Sequence, residues 1–206
     1  PLIPKLLPKQ HRKRMLQLAT VWLVTFTCNQ SALIFWKEFA QAERSMSNEA
    51  VGTSIAIASV LTIPLVVWFG RFTDRIGRRK SAATVYAITA IGVLGSYSSI
   101  PKQFLVVPLL FLIFGSSAAV AVLSTWTAEC FPTELRGDSF AWANSLLGRI
   151  GFVLSPLLVS ELLSSLGWSH SLSLTAILPL LAIAMTNRWL PETAGKDLED
   201  LEQSTR

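Results

Sequence analysis

Charge, cysteine and histidine are all scarce in this sequence. Only 15% of its 206 residues are charged, whereas soluble domains run nearer a quarter. Cys28, inside an apolar run, and Cys130, at the end of another, supply no disulfide framework and have no metal-ligand neighbourhood. His11 and His170 fall in a polar head and in a turn, so neither has the setting of a proton relay. Glycine-rich phosphate loops, ligand clusters and nucleophile triads are missing too, so no enzymatic activity and no cofactor are expected.

What the chain has instead is hydrocarbon: 51% of residues are hydrophobic and the mean hydropathy is +0.47. A bilayer core of about 30 Å needs roughly 20 consecutive apolar residues per helix. Windows near 15–36, 50–70, 81–100, 103–128, 139–160 and 168–188 meet that requirement. They are continuous and lack the alternation of barrel strands, so the expected fold is all-α, a six-helix bundle integral to the membrane. The apolar run after the basic head is too long for a cleaved signal core. A net charge of +5 would point a soluble protein toward nucleic acid, but here the basic residues follow topology and no nucleic-acid partner is expected. Lys5, Lys9, Arg12, Lys13, Arg14, the run 71–80, Arg136, Arg188, Lys196 and Arg206 fall on one side of the windows. Only Lys37, Arg44 and Lys102 fall on the other. Arg and Lys stay on the side of synthesis, which predicts cytoplasmic termini and a multi-pass protein of the cell membrane. The division expected is a basic linker over 1–14, the helices over 15–190 and an acidic tail over 191–206. Within that tail, 197–202 reads as a short amphipathic helix or a solvated end.

The stretch Gly70-Arg71-Phe72-Thr73-Asp74-Arg75-Ile76-Gly77-Arg78-Arg79-Lys80 connects two windows. Its pattern Gly-x-x-x-Asp-Arg-x-Gly-Arg-Arg-Lys resembles the signature loop of the major facilitator superfamily. The next loop on that side, Glu129-Cys130-Phe131-Pro132-Thr133-Glu134-Leu135-Arg136-Gly137, is similar to the one after the tenth helix in the superfamily's sugar porters and organic-ion transporters. After the last window, Pro191-Glu192-Thr193-Ala194-Gly195-Lys196 is similar to their Pro-Glu-Thr-Lys-Gly, with an alanine intervening and the lysine displaced. In this order the three motifs imply the C-terminal half of such a transporter, helices seven to twelve in a three-plus-three inverted arrangement. The facing N-terminal half then becomes the expected partner, alongside the bilayer and a small-molecule substrate.

Within the loops, Gly70 and Gly77 allow close approach and a tight turn. Asp74 suits a neighbouring helix N-terminus, where unsatisfied amides and the macrodipole favour a carboxylate. Arg75 and Arg78 are expected to pair with Glu129 and Glu134, beside Arg136, as a latch that opens and closes with the transport cycle. The plain alternative is a topology anchor with Pro132 as a helix stop, which leaves Asp74 and the glycines without a task.

Arg149 is the one charge deep inside a window, about ten residues or roughly 15 Å from the helix end. Snorkelling from there is poor, so it should face a cavity or a partner. Trp142, Ser145, Phe152 and Pro156 share its stripe, while Asn144, Gly148, Gly151 and Ser155 form a small-residue stripe suited to close packing. The segment Ser145-Leu146-Leu147-Gly148-Arg149-Ile150-Gly151 resembles a helix of organic-anion transporters, which implies a small organic ion, a carboxylate, as cargo. A guanidinium offers that group two parallel hydrogen bonds; the competing use is an ion pair with the missing half. On the first window, Trp22, Thr25, Asn29, Ala32 and Trp36 share a stripe with Gln30 beside it. Asn29 and Gln30 are read as cavity residues, with interhelical hydrogen bonding as the alternative. Asn29-Gln30-Ser31 and Gly115-Ser116-Ser117 depart from the sugar-porter pattern. Trp126 reads as an interfacial anchor, with a cavity aromatic as the alternative. The main expectation is secondary transport of an organic anion by alternating access. Alternatives are a sugar-type porter, a membrane sensor that keeps the fold, and a six-helix unit acting as a homodimer.

Overall fold

A computed structural model describes residues 9–195; the first part of the basic head and the 197–202 segment lie outside them. The described residues contain helices and turns and no strand. Helix α1 (Lys9–Ile34) continues after a break at Phe35 as α2 (Trp36–Ala42). Next come α3 (Asn48–Ile76), α4 (Arg78–Ser96), a 3₁₀ turn (Lys102–Phe104) and α5 (Val106–Glu129). One long rod follows, made of α6 (Arg136–Phe140), a π-helical segment (Ala141–Gly148) and α7 (Ile150–Leu174); α8 (Ile177–Trp189) ends the bundle. Gly167 interrupts α7 with φ 73° and ψ 174°, so Trp168–Leu174 runs with α8 as the last crossing.

Among the described residues, four stretches are long and apolar enough to cross a membrane: His11–Ala42, Asn48–Ile76, Lys102–Glu129 and Arg136–Leu174. Helix α4 has the length, but its basic first turn and its serines and threonines dilute its apolar character. Helix α8 alone has 13 residues, because the turn at Thr175–Ala176 divides the sixth window. All six windows are helical, and the first helix begins at Lys9, ahead of the expected position 15.

Packing follows an exchange rule. Helix α1 packs on the π segment and α7, as α5 packs on α3; α4 packs on α5, as α8 packs on α1. Two further extensive pairs, α4 with α8 and α1 with α5, map onto themselves. Exchanging first with fourth, second with fifth and third with sixth crossings therefore preserves the most extensive contacts, as an inverted repeat requires, although the smaller α3–α4 and α4–α7 contacts have no counterpart of similar size. Burial obeys the same rule: α1 and α5 are mostly enclosed, whereas α3 and the α6–α7 rod are mostly exposed.

Small residues set the closest approaches. A Cβ at Gly92 would lie 2.4 Å from the Leu112 amide nitrogen, and one at Gly115 would lie 2.4 Å from Thr89 Oγ1. Helices α4 and α5 therefore touch backbone to backbone, the membrane solution when lipid is as apolar as leucine. Gly151 lets α7 approach the Leu23 carbonyl oxygen in the same way.

Candidate functional site

At the basic end of the bundle, three segments distant in sequence converge on one junction. Helix α3 stops at Gly77, whose φ of 90° favours glycine, and α4 starts at Arg78 with no spacer. The first amides of α4 need acceptors. Glu192, from the segment after α8, supplies them: Oε1 accepts from the Arg78 amide at 2.7 Å and Oε2 from the Arg79 amide at 3.0 Å. Burial alone would raise the Glu192 pKa, but these N–H groups and those of Ala194 and Thr193 outweigh it and hold the carboxyl below its ordinary value.

The Arg78 side chain turns back across the junction. Its Nη2 donates to Glu129 Oε1 at 2.6 Å, its Nε lies 3.2 and 3.1 Å from the two Glu129 oxygens, and its Nη1 donates to Asp74 Oδ1 at 2.8 Å. Glu129, followed by Asp74, keeps the guanidinium more firmly protonated, against the opposing effect of burial. Thr193 donates to the second Glu129 oxygen at 2.5 Å. Arg79 donates to the Leu190 carbonyl at 2.8 and 2.5 Å, Trp126 Nε1 to Pro191 at 2.9 Å, and Arg14 to Trp189 at 2.8 Å. The starts of α1 and α4 and the ends of α3, α5 and α8 are thus held together by charge-assisted bonds.

Of the expected latch residues, Gly77, Arg78, Asp74 and Glu129 meet. Asp74 does not cap a helix; Glu192 occupies that position, and Asp74 sits one turn away as the exposed partner of Arg78. Arg75 and Glu134 are exposed and make no ion pair among the described residues. Arg136, half-buried at the start of α6, keeps an Nε without a partner, as does the buried Ser139 hydroxyl. Gly70 is open: nothing lies within 4 Å of where its Cβ would be. Trp126 is fully buried and bonded, not an interfacial anchor, because Pro191 offers its indole N–H an acceptor inside the cluster. Sequence reasoning missed Glu192 and Arg79 as members; the signal was a lone acid directly after the last window.

Farther along the rod, the small stripe lies against α1. Gly148 sits 2.8 Å from the Trp22 Cβ, measured from where its own Cβ would be, and the Ser155 and Ser31 hydroxyls are 2.8 Å apart. The other stripe divides: Trp142 and Phe152 lean into the core, while Ser145, Arg149 and Pro156 are exposed. Arg149 has no hydrogen bond or ion pair among the described residues, and it caps the π segment, a wide helical turn frequent at functional sites. Leu146, Ile150 and Val153 surround it with exposed hydrocarbon. Trp22, Thr25 and Ala32 on α1, with Trp36 at the start of α2, are buried as the core stripe. Thr25 shares a 2.7 Å hydroxyl contact with Tyr86, and the Trp22 indole donates to Thr127 at 3.0 Å. Asn29 and Gln30, at the edge of that stripe, are half-buried, and their side-chain amides make no hydrogen bond among the described residues. No cluster of metal-binding side chains occurs among the described residues.

The family model of the Major Facilitator Superfamily matches residues 18–205. The chain belongs to that superfamily. Its relatives include a putative metabolite transport protein, YncC of Bacillus subtilis, 33% identical over 157 residues, covering 73% of this chain and 33% of that protein. The major myo-inositol transporter IolT of the same organism is 28% identical over 159 residues, covering 73% and 33%. Among solved structures, the inward-open xylose transporter XylE from E. coli superposes with a TM-score of 0.68 at 18% identity, covering 93% of this chain and 55% of that one. The chain thus spans about a third of the length of the curated relatives it matches. The relatives it matches are described as transport proteins and not as enzymes.

Proposed function

We propose that this chain is the C-terminal six-helix half of a secondary transporter that moves a small organic anion by alternating access, with the basic end in the cytoplasm. The observation that carries the cargo reading is Arg149, an exposed guanidinium without a partner on a hydrocarbon face at membrane depth. Lipid cannot solvate such a charge, so it is retained for a carboxylate or for a facing half that lines a wet cavity. Ser145, one turn away, and Trp142 beside it on the π segment complete the contact surface, with Asn29 and Gln30 on the adjoining α1.

The Arg78–Glu129–Glu192 cluster lies wholly within this half. Its role is to make the basic end of the six helices move as one body, so that rocking against the other half is not lost in internal bending. Contact with the other half at that end falls to Gly70, whose open face admits a helix, to the exposed Glu134 and to the half-buried Arg136.

Uptake by the full-length transporter tests the cargo reading. Arg149→Ala is expected to abolish anion uptake and Arg149→Lys to retain a small fraction, since lysine keeps the charge but not the paired geometry. Normal uptake by a correctly inserted Arg149→Ala protein would sink the proposal. A second reading, a polyol or sugar as cargo, draws on the unbonded Asn29 and Gln30 amides and on the names of IolT and XylE. It predicts the reverse ranking, with uptake sensitive to Asn29→Ala and Gln30→Ala and indifferent to Arg149→Lys.

A further inference from the structure

Helix α3 presents three distinct faces. Val51, Ala58, Thr62, Phe69 and Thr73 are buried against the bundle. Gly52, Ala56, Gly70 and Asp74 form a small-residue face open on its outer side, shaped for another helix to approach. At about 100° per residue, Trp68 and Phe72 lie roughly opposite Gly70, so whatever approaches the small face leaves this third face uncovered.

That third face ends in an ordered sequence of chemistry. Leu61 and Leu65 are exposed hydrocarbon. Above them Trp68 and Phe72 stack, with ring centroids 5.7 Å apart and planes within 9°, although Trp68 is 62% exposed. Arg75 follows on the same side and Arg71 about 60° round from Trp68, toward the small-residue face, both exposed and without an ion pair among the described residues. Asp74, the nearest acid, is turned to Arg78. Hydrocarbon, then flat aromatics, then two unneutralised guanidiniums repeats, in order, the layers of a leaflet: acyl chain, interface and phosphate.

The geometry points to a binding site for one anionic phospholipid at the basic end of α3, its phosphate held by Arg71 and Arg75 and its upper acyl chain lying on the Trp68–Phe72 stack. Guanidiniums hold phosphate oxygens in paired hydrogen bonds that a zwitterionic headgroup shares with its own ammonium. The site needs only that this end of α3 reaches a membrane interface, so it stands apart from the cargo reading.

The test uses the full-length protein reconstituted in phosphatidylcholine vesicles containing equal mole fractions of brominated phosphatidylglycerol or brominated phosphatidylcholine. Subtracting the emission of a Trp68→Phe protein isolates the quenching of Trp68. Brominated phosphatidylglycerol is expected to quench that component at about 25-fold lower mole fraction, each arginine contributing about fivefold. Arg71→Gln and Arg75→Gln should each reduce the preference, and the double variant should remove it; neither side chain has a partner whose loss would unfold the protein. Equal quenching by the two lipids, a preference that survives the double variant, or no quenching of Trp68 by either lipid would overturn the assignment. None of these outcomes bears on Arg149, because no transport is measured.

Discussion

At the scale of single residues, Arg78 and Glu129 are the pair whose energetics the surroundings most magnify. Their side chains are 10% and 20% exposed, so removing one leaves the other charge poorly solvated. Arg78→Gln and Glu129→Gln are each expected to cost about 3 kcal/mol. The double variant should cost clearly less than the sum, measured as thermal unfolding in detergent around a double-mutant cycle. Glu192 makes a prediction of a different form. Its pKa is lowered in the folded protein, so its contribution is present above the ordinary carboxylate value near about 4.3 and is lost as pH falls through the lowered one. The melting-temperature gap between the wild type and Glu192→Gln should therefore be widest near neutrality and close on acidification below pH about 4. A gap constant across that range would refute the capping role. Cys130 completes this scale. Burial pushes its thiol up to about 12, so maleimide labelling at mildly alkaline pH should stay slow until the protein unfolds.

At the scale of elements, glycines divide by what a methyl group would meet. Gly92→Ala drives a Cβ to within 2.4 Å of the α5 backbone and should forfeit folded yield. Gly52→Ala meets open space within these six helices and, in this half on its own, should be neutral or slightly stabilising. Gly77→Ala combines a positive φ with a Glu192 oxygen at 2.8 Å, whereas Gly167→Ala carries the strained φ alone with 3.8 Å of clearance. Size-exclusion yield and melting temperature should rank Gly167→Ala as the milder, at roughly 1–2 kcal/mol. Helices were legible in the sequence because a bilayer demands length and hydropathy, both one-dimensional properties. Their junctions were less so. Gly167 replaces an expected loop with a backbone kink, and the turn at Thr175–Ala176 splits an apolar window that carries no charge there, its one mark being Pro179 in the first turn of α8. The stripe of the first crossing was legible by period, but period alone does not say which stripe faces protein; Trp22, Thr25 and Trp36 face it.

For the whole molecule, the exchange rule among crossings was invisible as a residue-level repeat because lipid-facing positions accept almost any apolar side chain. What repeats is the burial order, and that is set by packing partners, not by identity. The candidate site divides in the same way. Arg149 stood out because a lone charge in hydrocarbon has no neutral explanation. Glu192 went unassigned because its significance is the distance in sequence, from one helix's end to another's beginning, that the fold closes. The Gly167 kink also has a bearing on how the orientation of this protein is to be mapped. A junction without a loop, in which the Glu43 carboxylate accepts the Ser169 amide at 3.1 Å, has no slack for an inserted epitope. The exposed turn around Ser99, Ile100 and Pro101 does, and a tag placed there should leave the helices undisturbed while reporting which compartment that end of the bundle occupies.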